Sequence, residues 1–169
     1  MAVPALDPAC SCDAISQSVY GVVEDDEVLV RVLTDKHYRG TKIHNSAFRL
    51  TDIMSEGVSL VRLGMVDVVE FQAVADNIRQ AGGATSVRGA MALQAKLLRE
   101  LKWDNGDRQL CVFDDPVIND PDLRDNPAHC MAVSPVTIQP EDAQEVRDHL
   151  LTIFSEARYL SDLWQTAHT

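Results

Sequence analysis

A chain of 169 residues with 46% hydrophobic and only 5% aromatic side chains has the length of a single domain. Its core must rest on Val, Leu, Ile, Met and Ala. The formal net charge of −11 argues against a general nucleic-acid binder, whose phosphate contacts need clustered Lys and Arg, and against adhesion to anionic lipid.

The start, "MAVPALDPACSCDA", has neither a basic n-region nor an apolar core. Nowhere do about 18 apolar residues run together, so neither a secretory signal nor a membrane span is expected. The expected location is the cytoplasm, with the four cysteines as thiols. Residues 1–18 read as a flexible arm and 19–169 as a single α+β domain. Cys10-Ser11-Cys12 in the arm lacks the spacing and the second pair of a metal or redox site.

Glu24-Asp25-Asp26-Glu27 forms an acidic turn. "VLVRVL", Val28 to Leu33, predicts a half-buried strand. Arg31 is its one charged residue, facing outward with Leu29 and Leu33 or snorkelling. The polar stretch after it, with Gly40, reads as a loop that carries His37 and His44. Glu56 to Gly64 predicts a second strand.

Asp67 with Glu70 is a capping-box pattern, and Phe71, Val74, Ala75 and Ile78 form one apolar stripe. This predicts a helix stopped by Gly82-Gly83. "GGATSVRG" superficially suits a phosphate cradle, but a helix stop followed by a cap explains it. Ser86 caps a second predicted helix, from Val87 to about Lys102, with Ala90, Leu93, Leu97 and Leu101 on one face. "RQLCVF" and "HCMAVSPVTI" predict two further strands.

Pro140 suits a first helical position, and Glu141 and Asp142 suit the helix dipole. Ala143, Val146, Leu150, Ile153, Ala157, Leu160 and Trp164 repeat at steps of three and four. They predict one C-terminal helix of about 25 residues. The whole predicts an antiparallel or mixed sheet of about four strands, helices packed on one face and that long terminal helix.

Between the last two strands lies "FDDPVINDPDLRDNPAHC". Carboxylates at a strand end, Asp114 foremost, can hold a divalent cation. The spacing does not match the calcium-loop pattern, and Asp and Pro are also what long turns use for their own hydrogen bonds. Pro127 biases Asn126 towards an extended shape and so delivers His129 to a strand start in a defined direction. His129 suits a general base, a ligand or a hydrogen-bonded core residue. With His37 and His44 it would complete a three-histidine metal cluster if the fold brought them together.

Two readings of function follow. The first is a non-catalytic accessory subunit that binds another protein, plausibly one with a basic surface, with a homo-oligomer compatible. Its docking residues are Arg158, Tyr159 and Trp164 on the terminal helix and Glu24, Asp25, Asp26 and Glu27. No cofactor fingerprint is present, and the absence of a complete catalytic signature leans the sequence away from an enzyme. The second is a small enzyme or ligand-binding domain with a histidine-lined cleft, its candidates His129, His37, Arg31 and Asp114, with His44 as a weak metal ligand.

Overall fold

The computed structural model describes residues 15, 16, 18–121, 123–154 and 157–158, the last two by backbone alone. The strands are β1 (Val28–Thr34), β2 (Tyr38–Arg39), β3 (Lys42–Ile43), β4 (Val58–Arg62), β5 (Val87–Gln94), β6 (Cys111–Asp114), β7 (His129–Val133) and β8 (Ala157–Arg158). The α-helices are α1 (Val68–Ala81), α2 (Ala95–Arg99) and α3 (Pro140–Ile153). Six strands form one sheet in the order β6-β7-β4-β1-β5-β8, and β2 and β3 make a separate hairpin. Each neighbouring pair is antiparallel. The α+β reading therefore holds, with a wider sheet than the four strands expected.

β1 lies inside the sheet and is covered on both faces. Val30 and Val32 pack with Val61, Phe71, Val74 and Ala75, which is the α1 side. Leu29 and Leu33 pack with Leu60, Met91, Ala143, Val146 and Leu150, which is the α3 side. Helices thus lie on both faces rather than one. The physical reason is visible in "VLVRVL": it is apolar at almost every position, the pattern of a strand buried on both sides, whereas a half-buried strand alternates.

α1 forms where its local signals place it. Asp67 Oδ1 accepts from Glu70 N at 2.8 Å and Glu70 Oε2 accepts from Asp67 N at 3.0 Å, closing the capping box. The second predicted helix is a correction. Residues 87–94 are the strand β5, followed by only five residues of α2. β5 pairs with β1 from Val28↔Gln94 to Thr34↔Val87. That ladder satisfies the β5 edge of the buried strand, a tertiary demand that outweighs the three-four spacing of Ala90, Leu93 and Leu97.

The terminal helix is also shorter than expected. α3 starts at Pro140 as predicted but spans 14 residues and ends at Ile153. Ala157 and Arg158 then pair with Met91 and Ala90 of β5. The three-four spacing beyond residue 153 is helical, and the pairing with the β5 edge outweighs it. Tyr159 and Trp164 lie outside the described residues, and only the backbone of Arg158 is described. Cys130 is a free, fully buried thiol whose pKa burial pushes well up, whereas Cys111 is disulfide-bonded and not the thiol expected.

Candidate functional site

β1 and β4 pair at Leu29↔Arg62 and Val30↔Val61, and their ladder stops there. The Arg31 side chain occupies the seam beyond it. Its Nη1 donates to the Ser59 carbonyl at 2.9 Å, and its Nε donates to the Ala47 carbonyl at 3.1 Å. A backbone carbonyl that a continued ladder would have satisfied is satisfied by a guanidinium instead. Arg31 neither faces solvent nor snorkels; its guanidinium bridges the two central strands where their ladder ends.

Its counter-ion is Asp52, 3% exposed, at the start of a π-helical turn spanning Asp52–Glu56. Arg31 Nη2 lies 3.4 Å from Asp52 Oδ2, and Arg49 Nη2 lies 2.6 Å from Oδ1. Burial lowers the pKa of Arg31 and Asp52 opposes that shift. Gly57 closes the π-turn at φ +83°, and a Cβ there would meet the Met131 sulfur at 2.1 Å. Only glycine lets the chain enter β4 at this angle without displacing Met131.

Further along the same face, Ser59 and His129 are diagonal neighbours across the β4–β7 ladder, whose register pairs Ser59 with Met131 and Val61 with His129. His129 Nε2 lies 2.9 Å from Ser59 Oγ. His129 Nδ1 lies 2.5 Å from the Asp115 carbonyl and 3.3 Å from Asp115 Oδ2. Ser59 is exposed, while His129 and Asp115 are buried.

His37 sits in the turn after β1, where its Nδ1 accepts from Thr34 N at 3.0 Å. The ring proton is therefore on Nε2. Burial, reinforced by the charge of Arg31, pushes the His37 pKa down to about 4. It is a neutral imidazole at pH 7.

Arg31, His37, Arg49, Asp52, Ser59 and His129 share one cavity of about 740 Å³. Its floor is the sheet around Val30, Val32 and Val61, and one wall is α1 at Val74, Asn77 and Ile78. The other walls are the 35–37 and 46–57 loops and the 117–126 loop. Asn126 lines it, only 7% exposed, and its Oδ1 has no hydrogen-bond partner.

The structure brings together His37, His129 and Arg31 of the candidates read from the sequence. His44 is not among the lining residues; it caps a short 3₁₀ turn, its Nδ1 accepting from Ser46 N at 3.2 Å. Among the described residues no three His, Cys, Asp or Glu side chains gather as a metal ligand set. Asp114, fully buried at the end of β6, bonds the hydroxyl of Ser18 away from the cavity lining. Asp120 and Asp125 serve the turns of the loop: Asp125 accepts from Asn119 N at 2.7 Å and Asp120 from Leu123 N at 3.0 Å.

In the acidic turn, Asp25 is bound to Arg99 at 2.7 Å and Glu27 to Arg62 at 2.6 Å, and Glu24, Asp25 and Asp26 are exposed. Sequence reasoning passed over Ser59 and Asp52, and weighed Asp115 only beside Asp114 as a strand-end carboxylate that could hold a cation. Ser59 did carry a signal, as a polar residue between Val58 and Leu60 in a strand of buried side chains. No described helix is long and apolar enough to cross a membrane. Compared with known proteins, the chain matches no family model, no curated sequence and no solved structure.

Proposed function

We propose that the protein binds a small anionic molecule in the cavity between α1 and the sheet. The observation that carries this is a local reversal of charge. In a chain of net charge −11, four basic side chains line the cavity, Arg31, Lys36, Arg49 and Arg124, against two carboxylates, Asp52 and Glu56. With histidines counted neutral, the lining is +2. Arg31 makes three hydrogen bonds, so two of the five N–H groups of a guanidinium are left for a ligand. The volume lies within the range of small-molecule sites, about 300–1,000 Å³. The unpartnered Asn126 Oδ1, an acceptor for a ligand hydroxyl, and the Nε2–H of His37 add polar groups that would orient the ligand.

The docking reading has less behind it. A partner with a basic surface would meet an acidic turn two of whose four carboxylates are already held by Arg99 and Arg62.

Calorimetric titration and thermal shift with inorganic phosphate and with small di- and tricarboxylates test the proposal. Binding stabilises the fold in proportion to RT ln(1 + [L]/Kd) and weakens as salt rises. Arg124→Glu, at an exposed position, weakens binding about tenfold, close to 1.4 kcal/mol. Binding that ignores both salt and Arg124→Glu, or none at millimolar anion, sinks it.

A further inference from the structure

We infer that Ser59 is a nucleophile activated by His129, and that the cavity hydrolyses a carboxylic ester of a small anionic acid. The inference rests on the cavity being the anion site proposed above, and it adds a reaction to it.

The hydrogen bonds of His129 dictate its tautomer. A carbonyl oxygen only accepts, so Nδ1, 2.5 Å from the Asp115 carbonyl, carries the proton. In the neutral ring Nε2 then holds a lone pair, and Ser59 Oγ at 2.9 Å donates to it. That is the arrangement a general base needs towards the hydroxyl it deprotonates. Asp115 Oδ2, 3.3 Å from Nδ1, supplies a carboxylate beside the imidazolium that would form. The constellation of hydroxyl, imidazole and carboxylate is recognised by geometry and roles, independent of chain order.

A purely structural histidine accounts for less of this. A buried imidazole needs its nitrogens satisfied, but Ser59 is exposed and water could serve it as well as His129 does. Ser59 also lines the cavity, so its oxygen is within reach of a bound molecule. Arg31, anchored on the Ser59 carbonyl, holds a fixed positive charge beside the place where an oxyanion would develop.

The reaction balances with water as the one co-reactant. Ser59 Oγ attacks the ester carbon as its proton passes to His129 Nε2, giving a tetrahedral oxyanion. The C–O bond to the alcohol breaks, and the departing oxygen takes the proton back from Nε2. Water then attacks the acyl-Ser59 carbon, again losing a proton to Nε2. The acid leaves as Ser59 Oγ recovers that proton.

The full chain is incubated with an alkyl fluorophosphonate, in which an Oγ–P bond forms and fluoride leaves. Peptide mass spectrometry is expected to place one adduct on Ser59 and none in Ser59→Ala. His129→Gln is expected to slow labelling about 100-fold or more. A nitrophenyl ester bearing a carboxylate should be turned over faster than its neutral analogue. An unmodified Ser59 after hours at millimolar probe overturns the inference, as does labelling that persists in Ser59→Ala. Anion binding with an inert Ser59 would remove the hydrolase and leave the binding site. A labelled Ser59 with no anion binding would remove the anion specificity and leave the nucleophile.

Discussion

Two arginines lie on neighbouring central strands, Arg62 buried and Arg31 partly buried, and behave differently. Arg62 of β4 makes five hydrogen bonds, two to Glu27 at 2.6 and 2.7 Å and the rest to the carbonyls of residues 20, 21 and 22. Every N–H it has points at protein, so the pair is a closed knot that ties the segment before β1 to the sheet. Arg31 of β1 makes three, shares its carboxylate with Arg49 and borders a cavity of about 740 Å³. The chemistry of the two ion pairs is the same. What distinguishes structure from site is whether donors are left over and whether a space adjoins them.

The comparison breaks most visibly at the closed knot. Glu27→Ala leaves the Arg62 charge buried and uncompensated, and is expected to cost about 3 kcal/mol in urea denaturation without altering anion binding. A loss below about 1 kcal/mol would show that Arg62 finds water instead.

Beside the open site, His37 makes the effect depend on pH. Its folded pKa is depressed from the ordinary 6.5 to about 4. The unfolded chain therefore binds the proton first as pH falls. Stability is expected to drop between pH 6.5 and 4 and to be unaffected by this group above 6.5. Screened for its partial exposure, the drop is about 1–2 kcal/mol. His37→Asn, which keeps an acceptor for Thr34 N, should flatten this part of the pH–stability curve; an unchanged slope would assign it to other groups.

The smallest effect is expected at Arg49, whose side chain is 61% exposed. Arg49→Ala leaves Asp52 with Arg31 as partner and should cost under about 1 kcal/mol by thermal melt. A larger loss would make Arg49, too, part of the scaffold.

Much of the scaffold was legible because its signals are local. Asp67, Glu70, the Phe71-Val74-Ala75 stripe and Gly82-Gly83 specify α1 from within one segment, and Pro140 with two acids starts α3. The errors fall where a segment's neighbours decide. Residues 87–94 carry helical spacing yet lie along β1, because a central strand needs a ladder on both edges. The spacing past Ile153 resembles a helix seam, yet the chain leaves the helix and pairs Ala157 with Met91.

The site divides the same way. His129 stood out because Pro127 and Asn126 set its direction, and Arg31 because a lone charge in an apolar strand demands a partner. Asp115 and Asp114 are adjacent, and only the end of β6 decides which reaches the imidazole. Ser59 means little until register makes it diagonal to His129, 70 residues away. His44, so close to His37 in sequence, turns inward on its own loop as a cap.

By itself the amino-acid sequence determined an α+β chain, its net negative charge, the ends of α1 and the start of α3, since propensity, capping and net charge act over a few residues or over none in particular. Tertiary structure alone decided that a basic pocket opens inside an acidic protein and that a serine and a histidine meet in it, with an aspartate behind the imidazole. Those meetings depend on strand order and register, and these are set by burying both faces of β1 at once.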